Sequence, residues 1–367
     1  MRLVLSDTAL PTGLLVREDW HYVDLSQLKI ADCMGCFSCW VRTPGRCVIR
    51  DDAVGVYPLI AHSDHVIYVS RLFCGSYDVP MKTMLERAIP VQQAFLRIHH
   101  GETHHIQRAV AEKDAVILAY GDTGDEEQAL FRLLAARNAH NMLFRSWSVR
   151  FLRKRSWPGP LGRRYAHGKA PDRQWESPGA PFQLPEVYRT VSSVLGRDGG
   201  PVYRAEGGPL SPEDCTDLLL VFPLYADGIP AVLMRTLKEL AVWRTARPRI
   251  HVLVNCGFLE PSRPACGRDG ALFLQTIWIS LGDGAADRLG RGDLEYAFSF
   301  LVRRGLRRLA AGMRAGRSEV LSVRMPLNRR MFVWASGRYW TDYGAKNNIT
   351  AGEMRTMEIE EARDFQP

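Results

Sequence analysis

The chain has 367 residues, of which 46% are hydrophobic and 24% charged, and its formal net charge is +8. This is the composition of a globular protein long enough for two domains, and no apolar run approaches the roughly 18–20 residues of a membrane helix. The first residues do not resemble a signal peptide. We therefore expect a cytoplasmic protein with no membrane partner, whose eight cysteines are reduced and free for metal or redox chemistry.

Much of the excess positive charge lies in two arginine-rich runs, at 150–164 and 303–317. A basic surface can meet nucleic acid, an anionic membrane or a phosphorylated cofactor. In the second run the arginines are spaced helically around apolar residues, which favours an amphipathic helix with a solvated cationic face. We accordingly predict no nucleic-acid partner.

Short apolar runs alternate with stretches of helical period along the chain. Strands are predicted at 65–70, 114–120, 217–222 and 251–255, and helices after them at 80–87, 126–138, 229–240 and 270–281. Repetition of strand, loop and helix favours an α/β fold with a parallel sheet covered on both faces. The pattern occurs twice, which predicts two related units, 1–150 and 181–367, joined by a basic linker rich in Gly and Pro, 151–180.

The most specific motif is a run of four cysteines, Cys33, Cys36, Cys39 and Cys47, with the spacing C-x2-C-x2-C-x7-C. Two-residue gaps let thiolates on a tight loop converge on one centre, and four thiolates suit a 4Fe–4S cluster or tetrahedral zinc. The third closely spaced cysteine favours the iron–sulfur cluster. Two alternatives stay open: the cysteines pack a small buried loop without metal, or two of them form a redox disulfide.

Together with its sequel, this run resembles the flavodoxin-like family of NAD(P)H-dependent FMN reductases, and in particular its iron–sulfur flavoprotein branch. The matching residues in the first half are Cys36 to Trp40, Thr43 to Cys47, Asp51-Asp52, Ser63-Asp64, Gly75 to Tyr77, Lys82 to Arg87, His104-His105 and Arg137-Asn138. Those in the second half are Phe222 to Tyr225, Asp227 to Pro230, Asn255 to Glu260, Gly282 to Gly284 and Trp340 to Ile349.

The resemblance implies two flavodoxin-like doubly wound parallel-sheet units, the first of them abbreviated, with FMN as cofactor and a homodimer as the assembly. In such folds the ligand lies outside the carboxyl ends of the strands. The loops at these ends carry the residues expected at the flavin, which are Phe73, Gly75, Gly121 and Asp122 in the first half and Pro223, Leu224, Tyr225, Gly228, Cys256, Gly257 and Phe258 in the second. The second set is fuller, so we expect the flavin there and the cluster in the first half.

The chain departs from this family in one respect, because neither half has a convincing Ser/Thr/Gly-rich phosphate loop after its first strand. In the second half this place holds the arginines of 153–164, which could bind a phosphate bidentately instead. Three hypotheses follow. The first is an oxidoreductase whose flavin passes electrons from NAD(P)H to a small-molecule acceptor such as a quinone or another flavin. The others are a non-catalytic electron carrier or redox sensor, and a degenerate scaffold without cofactor.

A second cluster of metal-ligating residue types lies at 99–105, with the sequence HHGETHH. Imidazoles and a carboxylate can bind zinc or iron, but the family resemblance places such histidines in a loop near the flavin, so a polar loop is the favoured interpretation. No G-x-S-x-G, Walker or H-E-x-x-H motif is present, and hydrolase and nucleotidyl-transfer chemistry therefore lack support.

Overall fold

A computed structural model of the chain describes most of its first 152 residues and several later segments. The described residues are 1–11, 19–152, 217–239, 249–255, 271–274, 320–323 and 328–361, with the separate positions 304, 307, 308, 311, 312 and 315. The predicted flavin residues Cys256, Gly257 and Phe258 lie outside them, as do all but the first two residues of the predicted linker.

The first half of the chain forms a sheet of five parallel strands. From edge to edge they are β2 (Trp20–Asp24), β1 (Arg2–Ser6), β3 (His65–Phe73), β7 (Lys113–Tyr120) and β8 (Phe144–Leu152). A two-residue strand, β4 (Ser76–Tyr77), pairs antiparallel with the end of β3. Counted among the parallel strands, the order is 2-1-3-4-5, which is the flavodoxin-like order. The α/β prediction is therefore confirmed, but the first unit was wrongly expected to be abbreviated, because all five strands are present.

Both faces of this sheet are covered, as the near-continuous apolar strands require. In β1, Leu3 and Leu5 belong to one buried cluster, whereas Val4 between them packs with Val69 in another on the opposite face. The helices of this half are α1 (Ser38–Val41), α2 (Ala53–His62), α3 (Val79–Arg87) and α4 (Asp125–Asn141). Among the described residues, no helix has both the length and the apolar composition that crossing a membrane requires.

The histidine-rich segment predicted as a polar loop is a β-hairpin. Strands β5 (Gln92–His99) and β6 (Glu102–Gln107) pair antiparallel, and His99 lies opposite Glu102. The two loop residues, His100 and Gly101, have φ values of 48° and 80°. Positive φ at both loop residues is the backbone of a type I′ turn, whose twist matches that of the paired strands.

The second half contributes a parallel sheet with the order β9–β10–β11–β12 among its described strands. The strands are β9 (Asp217–Pro223), β10 (Arg249–Asn255), β11 (Ala271–Leu274) and β12 (Val320–Val323), and helix α5 (Ala231–Glu239) follows β9. The predicted strands at 217–222 and 251–255 are confirmed. The helix predicted at 270–281 is wrong at its start, because residues 271–274 pair with β10 as a strand. The four described strands contain no reversal of order, so the flavodoxin-like order of this unit stays a prediction.

The C-terminal part of the chain packs on the first half. Helix α6 (Arg329–Lys346) contacts β5, and the short helix α7 (Ala351–Met354) follows it. The side chain of Asn328 caps the start of α6, and Thr350 forms a capping box with Glu353 at the start of α7. Trp340 of α6 joins a buried cluster that also contains Trp40 and Cys39. The cysteine run is therefore covered by residues about 300 positions away along the chain.

Candidate redox site

The four cysteines lie on a loop that reverses direction through left-handed backbone positions. Gly35 and Phe37 have φ values of 61° and 54°, and Gly45 has 81°. Between them, α1 holds Cys39 in the interior, while Cys33, Cys36 and Cys47 are partly buried. All four are free thiols, so none forms the disulfide that the C-x-x-C spacing left open.

The thiols are close enough to influence one another electrostatically. Burial raises the pKa of Cys33 to about 12, and the neighbouring Cys47 acts in the same direction. Burial also raises the pKa of Cys39, with further contributions from Cys33, Cys47 and Cys36. Without a metal these two thiols are protonated at neutral pH, and a bound metal would have to displace their protons.

The spacing of the sulfur atoms bears on one of the two metal hypotheses, tetrahedral zinc. Tetrahedral zinc, with Zn–S bonds of about 2.3 Å, holds its thiolates about 3.8 Å apart. In the described part of the chain, these cysteines do not form a group of three or more ligand atoms that all lie within 4.8 Å of one another. A four-iron cluster needs a wider shell, because each thiolate binds a different iron. The cysteines of the structure are therefore not preassembled as a tetrahedral zinc site.

Arg87, at the end of α3, forms hydrogen bonds with residues at both ends of the cysteine loop. Its guanidinium donates to both carboxylate oxygens of Asp51, at 2.6 and 2.8 Å, and to the carbonyl oxygens of Ala31, at 2.8 Å, and Ile49, at 3.2 Å. It also lies 3.4 Å from the Cys47 sulfur. Burial alone lowers the pKa of Arg87, but the hydrogen bonds to Asp51 and the charges of Cys47 and Asp51 outweigh burial and raise it. The side chain thus places a permanent positive charge beside the thiols.

Arg108, at the end of β6, is a second buried cation at the cysteine loop. Its described hydrogen bonds all go to backbone carbonyls, those of Pro90, Met354, Thr356 and Cys39. Burial lowers its pKa to about 10, and the nearby Cys39 opposes this effect. Since no carboxylate pairs with it among the described residues, a thiolate-bound cluster would supply the missing negative charge.

One buried hydrogen-bond donor near the cysteines has no acceptor in the part of the chain that the structure describes. The indole nitrogen of Trp40, next in sequence to Cys39, is buried and has no partner among the described residues. The ring stacks on Phe37 at 5.0 Å and meets Trp340 edge-on at 5.0 Å. A buried donor without a partner costs about 1–3 kcal/mol, and sulfur atoms of a cluster would be natural acceptors. The donor set, the two cations and this N–H therefore fit a 4Fe–4S cluster.

Helix α3 also joins this loop to the start of the second sheet. Lys82 donates to the carbonyl of Tyr225 and pairs with Glu86 at 2.8 Å, and Glu86 accepts from the first N–H of α5, that of Ala231, at 2.9 Å. Lys82 is fully buried. A methyl group on Gly35 would collide with the Tyr225 hydroxyl. The tyrosine predicted at the flavin therefore lies directly against the cysteine loop.

The other predicted flavin residues separate into two groups. Phe73 and Leu224 pack against one apolar cluster formed by β9, α5 and the start of α3. Near them, Gly75 donates its N–H to Glu127 at 3.0 Å, Pro223 ends β9, and Gly228 is buried with its N–H donated to Tyr225. The second group, Gly121 and the exposed Asp122, follows β7, where Gly121 lies against Arg71 and Leu72. The assignment of all these residues to a flavin stays a prediction.

Asp7 occupies the point where the strand order of the first sheet reverses. It follows β1, and its carboxylate accepts hydrogen bonds from the Arg71 N–H at 2.8 Å, the Ser70 hydroxyl at 2.9 Å and the Tyr120 hydroxyl at 2.8 Å. Burial, assisted by the charge of Asp78, raises its pKa to about 7. The hydrogen-bond donors that could bind a phosphate at this reversal are therefore already bonded to the Asp7 carboxylate.

Asp7→Asn should stabilise the protein at pH 8 and have much less effect at pH 4. The folded protein binds the Asp7 proton more tightly than the unfolded chain, whose carboxyl keeps a pKa near 3.8. The stability due to this proton is therefore fully present below pH 4 and is lost as the pH rises through 7. At pH 8, urea unfolding should give the variant a free energy of unfolding about 2 kcal/mol higher. The gain is smaller than the pKa shift alone would produce, because the amide has one acceptor oxygen fewer than the carboxylate. Equal effects at both pH values would contradict the ionisation argument.

Comparison with known proteins gives one partial match. No family model matches the chain. It is 37% identical over 68 residues to an iron-sulfur flavoprotein of Archaeoglobus fulgidus. The match covers 18% of this chain and 30% of the length of that relative. This likeness and the flavodoxin-like strand order agree with the resemblance found in the sequence.

Proposed function

We propose that the protein is an FMN-binding oxidoreductase that takes electrons from NAD(P)H and passes them to a quinone, a flavin or a similar acceptor. A 4Fe–4S cluster at Cys33, Cys36, Cys39 and Cys47 would relay single electrons. The observation that carries this proposal is the contact between Tyr225 and Gly35, because it puts the predicted flavin wall against the loop of the predicted cluster.

The chain's own residues would hold the cluster and set its charge. The four thiolates would bind the irons, and their negative charge would be offset by Arg87 beside Cys47 and by Arg108 at the Cys39 carbonyl. Trp40 would donate its unpartnered indole N–H to a sulfur atom. The rings of Phe37, Trp40 and Trp340 exclude water from this side of the loop, and a drier setting makes each of these charge interactions stronger.

The flavin would lie at the carboxyl ends of β3 and β9, where Tyr225, Phe73 and Leu224 offer aromatic and apolar surface. When bound, FMN accepts a hydride from a nicotinamide and releases electrons one at a time. Lys82 and Glu86 would hold the Tyr225 turn in position, since both side chains are buried. Lys82 donates to the Tyr225 carbonyl, and Glu86 accepts from the N–H of Ala231, the first residue of α5. Because the Asp7 carboxylate occupies the point where the strand order of the first sheet reverses, we expect the arginines of 153–164 to bind the FMN phosphate instead.

Gly35→Ala should weaken FMN binding about tenfold, which corresponds to about 1.4 kcal/mol, because the added methyl group displaces the Tyr225 ring. Alanine at φ 61° also strains the backbone, so a control must carry the same strain. Gly101→Ala does, because Gly101 has φ 80° and no atom within 4 Å of an added methyl group. Fluorescence titration with FMN should show a loss in G35A alone, recovered in G35A/Y225F. Equal losses in G35A and G101A would contradict the Tyr225 contact.

Steady-state oxidation of NADPH and NADH with an added quinone tests the activity itself. Protein loaded with FMN should oxidise one of them in proportion to its flavin content. A protein that holds flavin and iron but oxidises neither would be an electron carrier. A protein that takes up neither FMN nor iron would be the scaffold without cofactor, and the proposal would be wrong.

A further inference from the structure

Three histidines from separate elements meet beside the β5–β6 hairpin. His99 ends β5, His100 lies in the turn, and His140 lies in the last turn of α4. One ring nitrogen from each lies within 4.8 Å of the other two. The ring centroids are 4.2 Å apart for His99 and His100, 5.0 Å for His100 and His140, and 5.9 Å for His99 and His140.

The backbone conformation of the hairpin turn brings the His100 ring next to the other two. His100 takes a left-handed conformation, φ 48°, which is costly for a residue with a side chain. The type I′ turn needs positive φ at this position and usually has Asn, Asp or Gly there. The turn does not require a histidine at this position, and the His100 ring lies beside those of His99 and His140.

A neighbouring histidine fixes the hairpin to the helix and leaves the three rings free. The nitrogens of the buried His104 lie 2.9 Å from the Asn141 side-chain oxygen and 3.1 Å from a Glu102 carboxylate oxygen. Glu102 also pairs with Arg137 of α4. Because both ring nitrogens of His104 make these contacts, His104 has a structural role between the hairpin and α4. None of the described hydrogen bonds involves the rings of His99, His100 or His140.

We propose that His99, His100 and His140 bind a divalent first-row transition metal ion of the zinc class. Imidazole nitrogen is a preferred ligand of such ions, and Zn–N bonds of about 2.0–2.1 Å put the nitrogens about 3.4 Å apart. Side-chain rotations close the remaining distance. Three protein ligands leave a fourth position for water or a small anion, and the exposed His100 leaves that position open to solvent.

The charge state of the rings agrees with this assignment. Burial lowers the pKa of His99 to about 4, with further lowering by Arg97 and the neighbouring imidazoles, and burial also lowers the pKa of His140. Both rings are neutral at pH 7, the form in which imidazole binds metal. The site uses none of the four cysteines and does not depend on the proposed redox function.

Cobalt is the probe that separates this site from the cysteines, because Co²⁺ bound to thiolate absorbs strongly in the near ultraviolet and Co²⁺ bound to imidazole does not. Co²⁺ and Zn²⁺ titrations, by absorption and calorimetry, would use the full chain, H99A, H140A and the cysteine variant C36S. The control is H62A, since His62 is an exposed histidine in the last turn of α2, as His140 is in α4.

The histidine site should take up one equivalent of Co²⁺ in the full chain, H62A and C36S, seen as visible bands that are separate from any thiolate band. Affinity should fall at least about tenfold in H99A and in H140A, and competing Zn²⁺ should displace the cobalt. Far-ultraviolet circular dichroism identifies a variant that has failed to fold, and the spectrum of the unmodified chain decides the ligand type independently. Absence of binding, thiolate bands alone, or unchanged affinity in both histidine variants would overturn the proposal.

Discussion

Arg87→Met is expected to lower the free energy of unfolding by about 3–5 kcal/mol, the usual cost of breaking a buried ion pair by removing one partner. The guanidinium is 1% exposed and makes the bidentate pair with Asp51. Methionine fills much of the volume but leaves Asp51 without its cation and the carbonyls of Ala31 and Ile49 without donors. Because these groups lie on either side of Cys33 and Cys47, the variant should also lose most of the iron of the proposed cluster.

The matched control is Arg50→Ala. Arg50 also pairs with a carboxylate, that of Glu360 at 2.7 Å, but its side chain is 58% exposed. The Glu360 side chain is only 9% exposed, but Tyr57 continues to donate a hydrogen bond to it, so R50A should cost about 1–2 kcal/mol and should retain more iron than R87M. Urea unfolding and iron analysis of both variants provide the test. If R87M were as stable as R50A and retained its iron, Arg87 would not be holding the cysteine loop.

Trp340→Ala should cost a similar amount, about 3–5 kcal/mol, as large-to-small changes of buried aromatic residues do. Trp340 is 8% exposed and meets Trp40 at 5.0 Å and Phe37 at 5.3 Å, in both cases edge-on. Removing the ring leaves a cavity between α6 and the cysteine loop, and opens the loop to water. We therefore also expect the proposed cluster to lose its iron faster in air.

Trp334→Ala is the control for this prediction, because Trp334 lies on the same helix and is 54% exposed. Its replacement removes the same number of atoms and should cost less than about 1 kcal/mol. Urea unfolding and the rate of bleaching in air should separate the two variants. Equal stability and equal bleaching rates in the two variants would mean that α6 does not protect the cysteine loop.

The fold was predictable where the chain follows simple periods. The runs at 65–70 and 114–120 are continuous and apolar, as strands buried on both faces must be, and they form β3 and β7. Residues 271–274 were misassigned because four consecutive apolar residues suit a buried strand and a buried helix equally well. Pairing with β10 decided the matter, and no local pattern reports that pairing.

The candidate site was predictable only in its ligands. Spacing alone identifies the four cysteines, because thiolates with two-residue gaps can converge locally. The groups that complete the site come from afar: Arg87 is 40 residues beyond Cys47, and Trp340 reaches Trp40 from the C-terminal helix. An arginine at the end of a helix, as Arg87 is, or just after a strand, as Arg108 is, normally lies in solvent, so neither carried a sequence signal for burial. His140 was missed in the same way, because only the fold brings α4 to the hairpin.

A flavin and an iron–sulfur cluster in one chain would both be visible in the absorption spectrum of protein purified without oxygen. Iron, acid-labile sulfide and flavin should be quantified on the same sample, beside the variant Cys36→Ser. We predict flavin bands over a broad iron–sulfur shoulder, with about four irons per chain, and loss of the shoulder and the iron in C36S while the flavin bands remain. A spectrum without features, unchanged after FMN and iron with sulfide are supplied, would contradict the proposed function.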